Sequence, residues 1–364
     1  MIQDKRRRSN RLLTPLQIRL RSLSEPCGLI SDDPGDRVTC LACAHRCSVP
    51  DGGSGLCGVR FNEGGKLLVP FGYATSVHAD PIEKKPFFHF LPGSTALSFG
   101  MLGCNFHCPF CQNWITSQAP HERDAGLPLY EITADEMVAR ARRQNAESIS
   151  STYNEPLIST EWALAVFREA RAHGLRTSYV SNGFATPDVI AELNPWLDAI
   201  NIDLKGFTDS FYTELGGRLQ PVLDTITACV EAGIWVEVVT LVVPGCNDSP
   251  GELTDIARFL ADVSPDIPWH VTAYHPDYHY TEPGPTPPAT LVNAVRIGRE
   301  NGLHYVYAGN LPGRVGALES TLCPACGTTV IERYGFRIVR NTLDSGSCQS
   351  CGEPIAGLWP TRSP

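Results

Sequence analysis

Between residues 95 and 307 the chain alternates between two hydrophobic rhythms. Short β-branched and aromatic runs predict strands over Thr95–Gly100, Ser148–Tyr153, Arg176–Val180, Ala199–Leu204, Trp235–Val243, Trp269–Tyr274 and Tyr305–Tyr307. Between them, apolar residues recur every three or four positions. That spacing predicts helices over Ala134–Gln144, Thr160–Ala172, Val222–Ala232, Glu252–Ala261 and Ala289–Glu300. Strand–helix alternation of this kind implies βαβ units and a parallel sheet. Six or seven such repeats suit an open or partial barrel of the (β/α)6 type over residues 95–312.

The flanks break this rhythm. Residues 1–36 carry Lys5, Arg6, Arg7, Arg8 and Arg11 with little apolar periodicity, and read as a solvated, basic, flexible tail. Residues 37–75 form a Gly-rich module with four cysteines, and 76–94 read as a Pro-punctuated linker. Residues 313–364 place two Cys-x-x-Cys pairs around a hairpin at Thr328–Arg340, and read as a separate small module.

Composition narrows the function class. With 42% hydrophobic and 19% charged residues, the 364-residue chain is globular. A net charge of −9 argues against sequence-independent nucleic-acid binding. No run approaches the length of a membrane span, and no apolar stretch follows the basic start as in a secretory signal. A cytoplasmic location follows as the expectation, with thiols kept reduced.

In a reducing compartment, grouped cysteines hold metal more often than they pair. Of the 14 cysteines, only Cys27, Cys229 and Cys246 stand alone. Cys104, Cys108 and Cys111 fall where the first barrel strand ends, the end at which barrels carry their chemistry. Three thiolates there can bind three irons of a [4Fe–4S] cube and leave the fourth iron open. A three-ligand zinc site is the plainer alternative. Cys323, Cys326, Cys348 and Cys351 form two knuckles, each followed by glycine, and predict a zinc-ribbon-like Zn²⁺ site. The irregular set Cys40, Cys43, Cys47 and Cys57 suits either Zn²⁺ or a second [4Fe–4S] cluster.

The Cys-x3-Cys-x2-Cys spacing resembles the signature of radical S-adenosylmethionine (SAM) enzymes. The resemblance implies a [4Fe–4S] cluster whose open iron binds SAM, and reductive cleavage of SAM to a 5′-deoxyadenosyl radical. It extends to later strand ends. Asn154 and Glu155, in Thr152-Tyr-Asn-Glu-Pro156, match the segment that meets the SAM amino group. Ser181, Asn182 and Gly183 are similar to the family's Thr-Asn-Gly segment. Asp203 and Lys205 point to one face of their strand by alternation. With His275, they resemble the catalytic groups of the branch that includes the pyruvate formate-lyase activating enzyme. His270, on the same strand as His275, reads as a core histidine. The composite pattern from about residue 38 onward, including His89-Phe-Leu-Pro-Gly93 and Gln112-Asn-Trp114, resembles the radical SAM member of the AmmeMemoRadiSam system. That resemblance implies Memo-like and AMMECR-like partners, and an electron donor such as flavodoxin or ferredoxin. Two other functions fit parts of the pattern: an activase that places a radical on a protein glycine, and an iron–sulfur or zinc adaptor without SAM chemistry.

Overall fold

The computed structural model describes residues 13–32, 37–121 and 128–360. At its centre lies an eight-stranded mixed sheet whose spatial order follows the sequence. The strands are Ser76–Pro81, Thr95–Gly100, Ser148–Ser151, Arg176–Ser181, Ala199–Asp203, Trp235–Val242, Trp269–Ala273 and Val306–Gly309. All neighbours are parallel except the first pair. The two outermost strands do not pair, so the sheet is open. It nevertheless curves. The loop after the Thr95–Gly100 strand meets the loop after the Trp269–Ala273 strand, where the His279 amide donates to the Pro109 carbonyl at 3.0 Å.

The helices begin where their caps dictate. The Thr133 hydroxyl accepts from the Glu136 amide to start Ala134–Arg143, and the Ser249 hydroxyl accepts from Glu252 to start Pro250–Val263. Thr160–Ala172 buries Trp162, Ala163, Val166, Phe167 and Ala170 on the face toward the sheet. Two short helices, Pro187–Leu193 and Asp209–Glu214, were not visible in the periodicity. Each spans about two turns or fewer, too short to establish a 3.6-residue pattern.

Two sequence-based boundaries need correction. The basic residues Lys5 to Arg11 lie outside the described residues, but the expected flexible tail does not run to residue 36. Pro15–Ser22 is a helix closed by a capping box between Thr14 and Gln17, with Leu16 and Leu20 buried. Ser24–Pro26 and Ile30–Asp32 then pair with strands of the four-cysteine module. Nor is 76–94 a linker. Ser76–Pro81 is the antiparallel edge strand of the central sheet, and Ile82, Phe87, Phe90 and Leu91 are buried beside it. The prolines that suggested a connection sit at the strand's last residue and just beyond it, where no ladder amide is lost.

That buried segment holds the C-terminal module to the sheet. Glu237 accepts from the amides of Phe88 and His89 and from His270 Nε2 at 2.7 Å, so His270 is a paired core histidine. Arg333, buried in the module's hairpin, donates to the Phe88 carbonyl at 2.8 Å. His89 lies between the Ala356 carbonyl and the Tyr307 hydroxyl, each at 2.6 Å.

Burial lowers the His89 pKa from 6.5 to about 4. The unfolded chain therefore binds a proton near pH 6.5 that the folded chain refuses. Stability should be complete above pH 6.5 and fall between 6.5 and about 4, by up to about 3 kcal/mol. Urea titrations at pH 7.5 and 5 check this, and His89→Gln should flatten the difference.

Candidate active site

The parallel strands all end on the same side, and their carboxyl ends line one cavity of about 440 Å³. Its wall includes Cys104, Cys108 and Cys111, the Thr152–Glu155 turn, Ser181 and Asn182, and Asp203 with Lys205. The curvature of the sheet gathers residues that are far apart in sequence onto one surface.

The cysteine loop is shaped by its own backbone. Gly103 has φ +93°, and a Cβ there would lie 2.8 Å from the Cys57 carbonyl oxygen. The Cys111 amide returns to the Cys108 carbonyl at 3.2 Å, which closes the turn. The Phe106 amide donates to Cys104 Sγ at 3.4 Å. Phe106 itself packs edge-on against Phe184 and Tyr212, and this packing anchors the loop. Burial raises the Cys104 thiol well above its ordinary pKa and raises Cys108 to about 11. Without a metal these sulfurs hold their protons, so an electropositive centre must displace them.

Glu155 is the hub of the cavity wall. It is buried, and its carboxylate accepts from the Leu157 amide at 3.1 Å, the Ser181 hydroxyl at 2.7 Å and the Asn182 amide at 2.7 Å. It therefore ties two strand ends together besides facing the cavity. Burial raises its pKa to about 7 despite the amide and hydroxyl donors. Asn154 accepts from the Met101 amide at 2.9 Å, and Tyr153 before it is held at φ +72°.

Replacing Glu155 with Ala would leave three buried donors without an acceptor. We expect a loss of about 2–4 kcal/mol in folding stability, read as a lowered denaturation midpoint. Glu155→Gln, which keeps one acceptor oxygen, should lose less. An Ala variant as stable as the parent would remove the hub role.

Asp203 and Lys205 are brought together as alternation predicted, with Nζ 3.2 Å from Oδ2. Burial alone would lower the lysine pKa, but the Asp203 carboxylate reverses this and raises it. His275 is placed differently. It is exposed and stands behind the wall, with Nε2 2.9 Å from the Gln112 amide nitrogen, while Gln112 faces the cavity. Gly183 does not line the cavity either. It has φ +69°, and a Cβ there would lie 2.6 Å from Ile202 Cγ2, so close packing requires glycine.

Asn105 escaped the sequence reading because the Cys-x3-Cys spacing leaves its position unspecified. Its Oδ1 accepts from Asn182 at 2.7 Å, and its carbonyl oxygen lies 2.9 Å from His45 Nε2. The cavity floor was also missed. There Lys85 meets Asp80 and the Tyr153 hydroxyl, each at 3.0 Å. Asp80 and Lys85 come from the segment that read as a linker and Tyr153 from the Thr152–Pro156 turn, and only the fold joins them.

The C-terminal cysteines do converge. Cys323 and Cys351 sulfurs are 3.6 Å apart, Cys326 and Cys348 are 3.8 Å apart, and all four lie within 4.8 Å of one another. Hydrogen bonds from the Thr328 hydroxyl and amide lower the Cys326 thiol to about 6. Among the described residues, no helix is long and apolar enough to cross a membrane.

The model of the Radical SAM superfamily matches residues 100–260. An uncharacterized protein of Methanocaldococcus jannaschii is 40% identical over 324 residues, which cover 88% of this chain and 95% of that one. The isethionate sulfite-lyase activating enzyme of Desulfovibrio desulfuricans is 27% identical over 182 residues, 46% of this chain and 56% of its own length. Among solved structures, a radical SAM methyltransferase from Sphaerobacter thermophilus is similar over 87% of this chain and 85% of its own, with 17% identity and a TM-score of 0.47.

Proposed function

We propose that this chain, which matches the Radical SAM superfamily model over residues 100–260 and shares one family with its Methanocaldococcus relative, reductively cleaves SAM at a [4Fe–4S] cluster held by Cys104, Cys108 and Cys111. The observation that carries this reading is the placing of three sulfurs, without a fourth cysteine, on one cavity that polar strand ends also line. Three thiolates leave one iron of a cube for an outside ligand. Bound there, cluster and SAM would supply a 5′-deoxyadenosyl radical that starts hydrogen abstraction from a substrate.

The chain's own residues would position and shield. Glu155 is a buried carboxyl that gains by meeting a cation, which suits the ammonium of SAM, and Asn154 and Asn182 stand beside it. Asp203 and Lys205 present a paired negative and positive group to the same ligand. His275 would act through Gln112, as a positioning residue. The curved sheet serves as a partial (β/α) barrel that keeps water from the reacting centre. The C-terminal quartet would bind structural Zn²⁺, which has no redox chemistry.

A second reading, an activase for a glycyl-radical protein, draws on the name of the Desulfovibrio relative. The position of the extra cysteines favours the first, because here four of them precede the cluster loop. Within the first reading, the composite motif supports a place in the AmmeMemoRadiSam system with Memo-like and AMMECR-like partners. The test is anaerobic reconstitution with iron and sulfide, followed by electron paramagnetic resonance and assay for 5′-deoxyadenosine. SAM should change the spectrum of the reduced protein and be cleaved. A spectrum indifferent to SAM, without cleavage, sinks the proposal and returns the chain to the adaptor class.

A further inference from the structure

The sulfurs of Cys40, Cys43, Cys47 and Cys57 face one small space in the N-terminal module, walled also by His45, Arg60 and Asn105. Cys40, Cys43 and Cys57 are buried and Cys47 is half-buried. Thiols that only fill volume need no charge beside them. Here they share their space with Arg60, a buried cation. Arg60 Nη1 lies 3.8 Å from Cys40 Sγ. Arg60 is itself buried and paired with Glu161. Four sulfurs around one enclosed space, beside a buried cation, make a ready set of metal ligands.

Spacing decides which metal. Tetrahedral zinc with Zn–S bonds of about 2.3 Å holds its sulfurs about 3.8 Å apart. The C-terminal quartet shows that closeness. Among the described residues it is the one set of three or more ligand groups whose atoms all lie within 4.8 Å of one another. The N-terminal sulfurs surround a common space but stand wider than that. An iron–sulfur cube needs such a frame, because each thiolate binds a different iron.

We propose that Cys40, Cys43, Cys47 and Cys57 bind a second [4Fe–4S] cluster, closed by four thiolates and separate from the Cys104–Cys111 site. The two sites share a wall. Asn105, between Cys104 and Cys108, lines this space as well and turns its carbonyl to His45, and Gly103 lies against the Cys57 carbonyl. The assignment does not depend on SAM chemistry at the neighbouring site.

The test uses the full chain carrying Cys104→Ala, Cys108→Ala and Cys111→Ala, reconstituted anaerobically with iron and sulfide. It should retain about four irons and four sulfides per chain, half the parent's content. Its dithionite-reduced spectrum should be unchanged by SAM, because no iron is open. Adding Cys43→Ala should remove that iron and leave zinc at one per chain. A triple variant without iron, or a parent with two zincs and about four irons, overturns the assignment. So does iron that survives Cys43→Ala.

Discussion

Cys108→Ala should abolish production of 5′-deoxyadenosine from SAM while the protein keeps its fold. Cys108 sits in a turn beyond the end of its strand, and its sulfur faces the cavity, not the core between sheet and helices. Removing one buried sulfur there costs about 1 kcal/mol of packing, small against the stability of a domain this size. The effect on chemistry is all-or-none, because a cube held by two thiolates loses the frame that leaves one iron open. Cys104→Ala and Cys111→Ala should behave alike. Cys229→Ala is the control: that thiol is equally buried, on a helix facing the core and away from the cavity, and cleavage should persist. Circular dichroism confirms the fold, and chromatography of the anaerobic reaction reads the activity. A Cys108→Ala protein that still cleaves SAM would place the cluster elsewhere.

How much of this was legible in the sequence depends on distance along the chain. Most of the seven parallel strands were readable as local runs of β-branched and apolar residues, whereas Ser148–Ser151, three serines and Ile149, fits chiefly by its place in the strand–helix alternation. Ser76–Pro81 was hidden by its position: it is an edge strand ending in proline, and its partner is the next strand, met antiparallel. Asp203 and Lys205 were readable together because period-two alternation is a local rule. Glu155 was recognised, but its hub role was not, since Ser181 and Asn182 come from the next strand. His275 shows the converse. Its place at a strand end suggested the cavity, yet the chain turns outward at Pro276 and leaves the imidazole exposed. The role of Asn105 arises only where two modules touch, and no pattern within either module encodes it.

Loss of the C-terminal metal should be the second large effect. Sulfur pairs at 3.6 and 3.8 Å match what tetrahedral zinc requires, so Cys348→Ser should lower zinc by one per chain and leave iron unchanged. The module's own core is small. Cys323, Val330, Ile331, Leu343, Cys348 and Ile355 cluster with Phe88, Tyr305 and Tyr307 of the sheet side. A unit with so few apolar residues of its own depends on its metal for much of its stability. Proteolysis of Cys348→Ser should therefore begin between residues 323 and 351, well before the parallel sheet is cut. A truncation near residue 312 would be a poorer probe. The module is docked and not separate, so removing it would uncover Phe88 and Tyr307 and leave Glu83 without its buried partner Arg333. The point substitution removes one ligand and leaves that interface in place at the start. If Cys348→Ser loses iron and keeps its zinc, the quartet holds an iron–sulfur cluster and the zinc assignment fails.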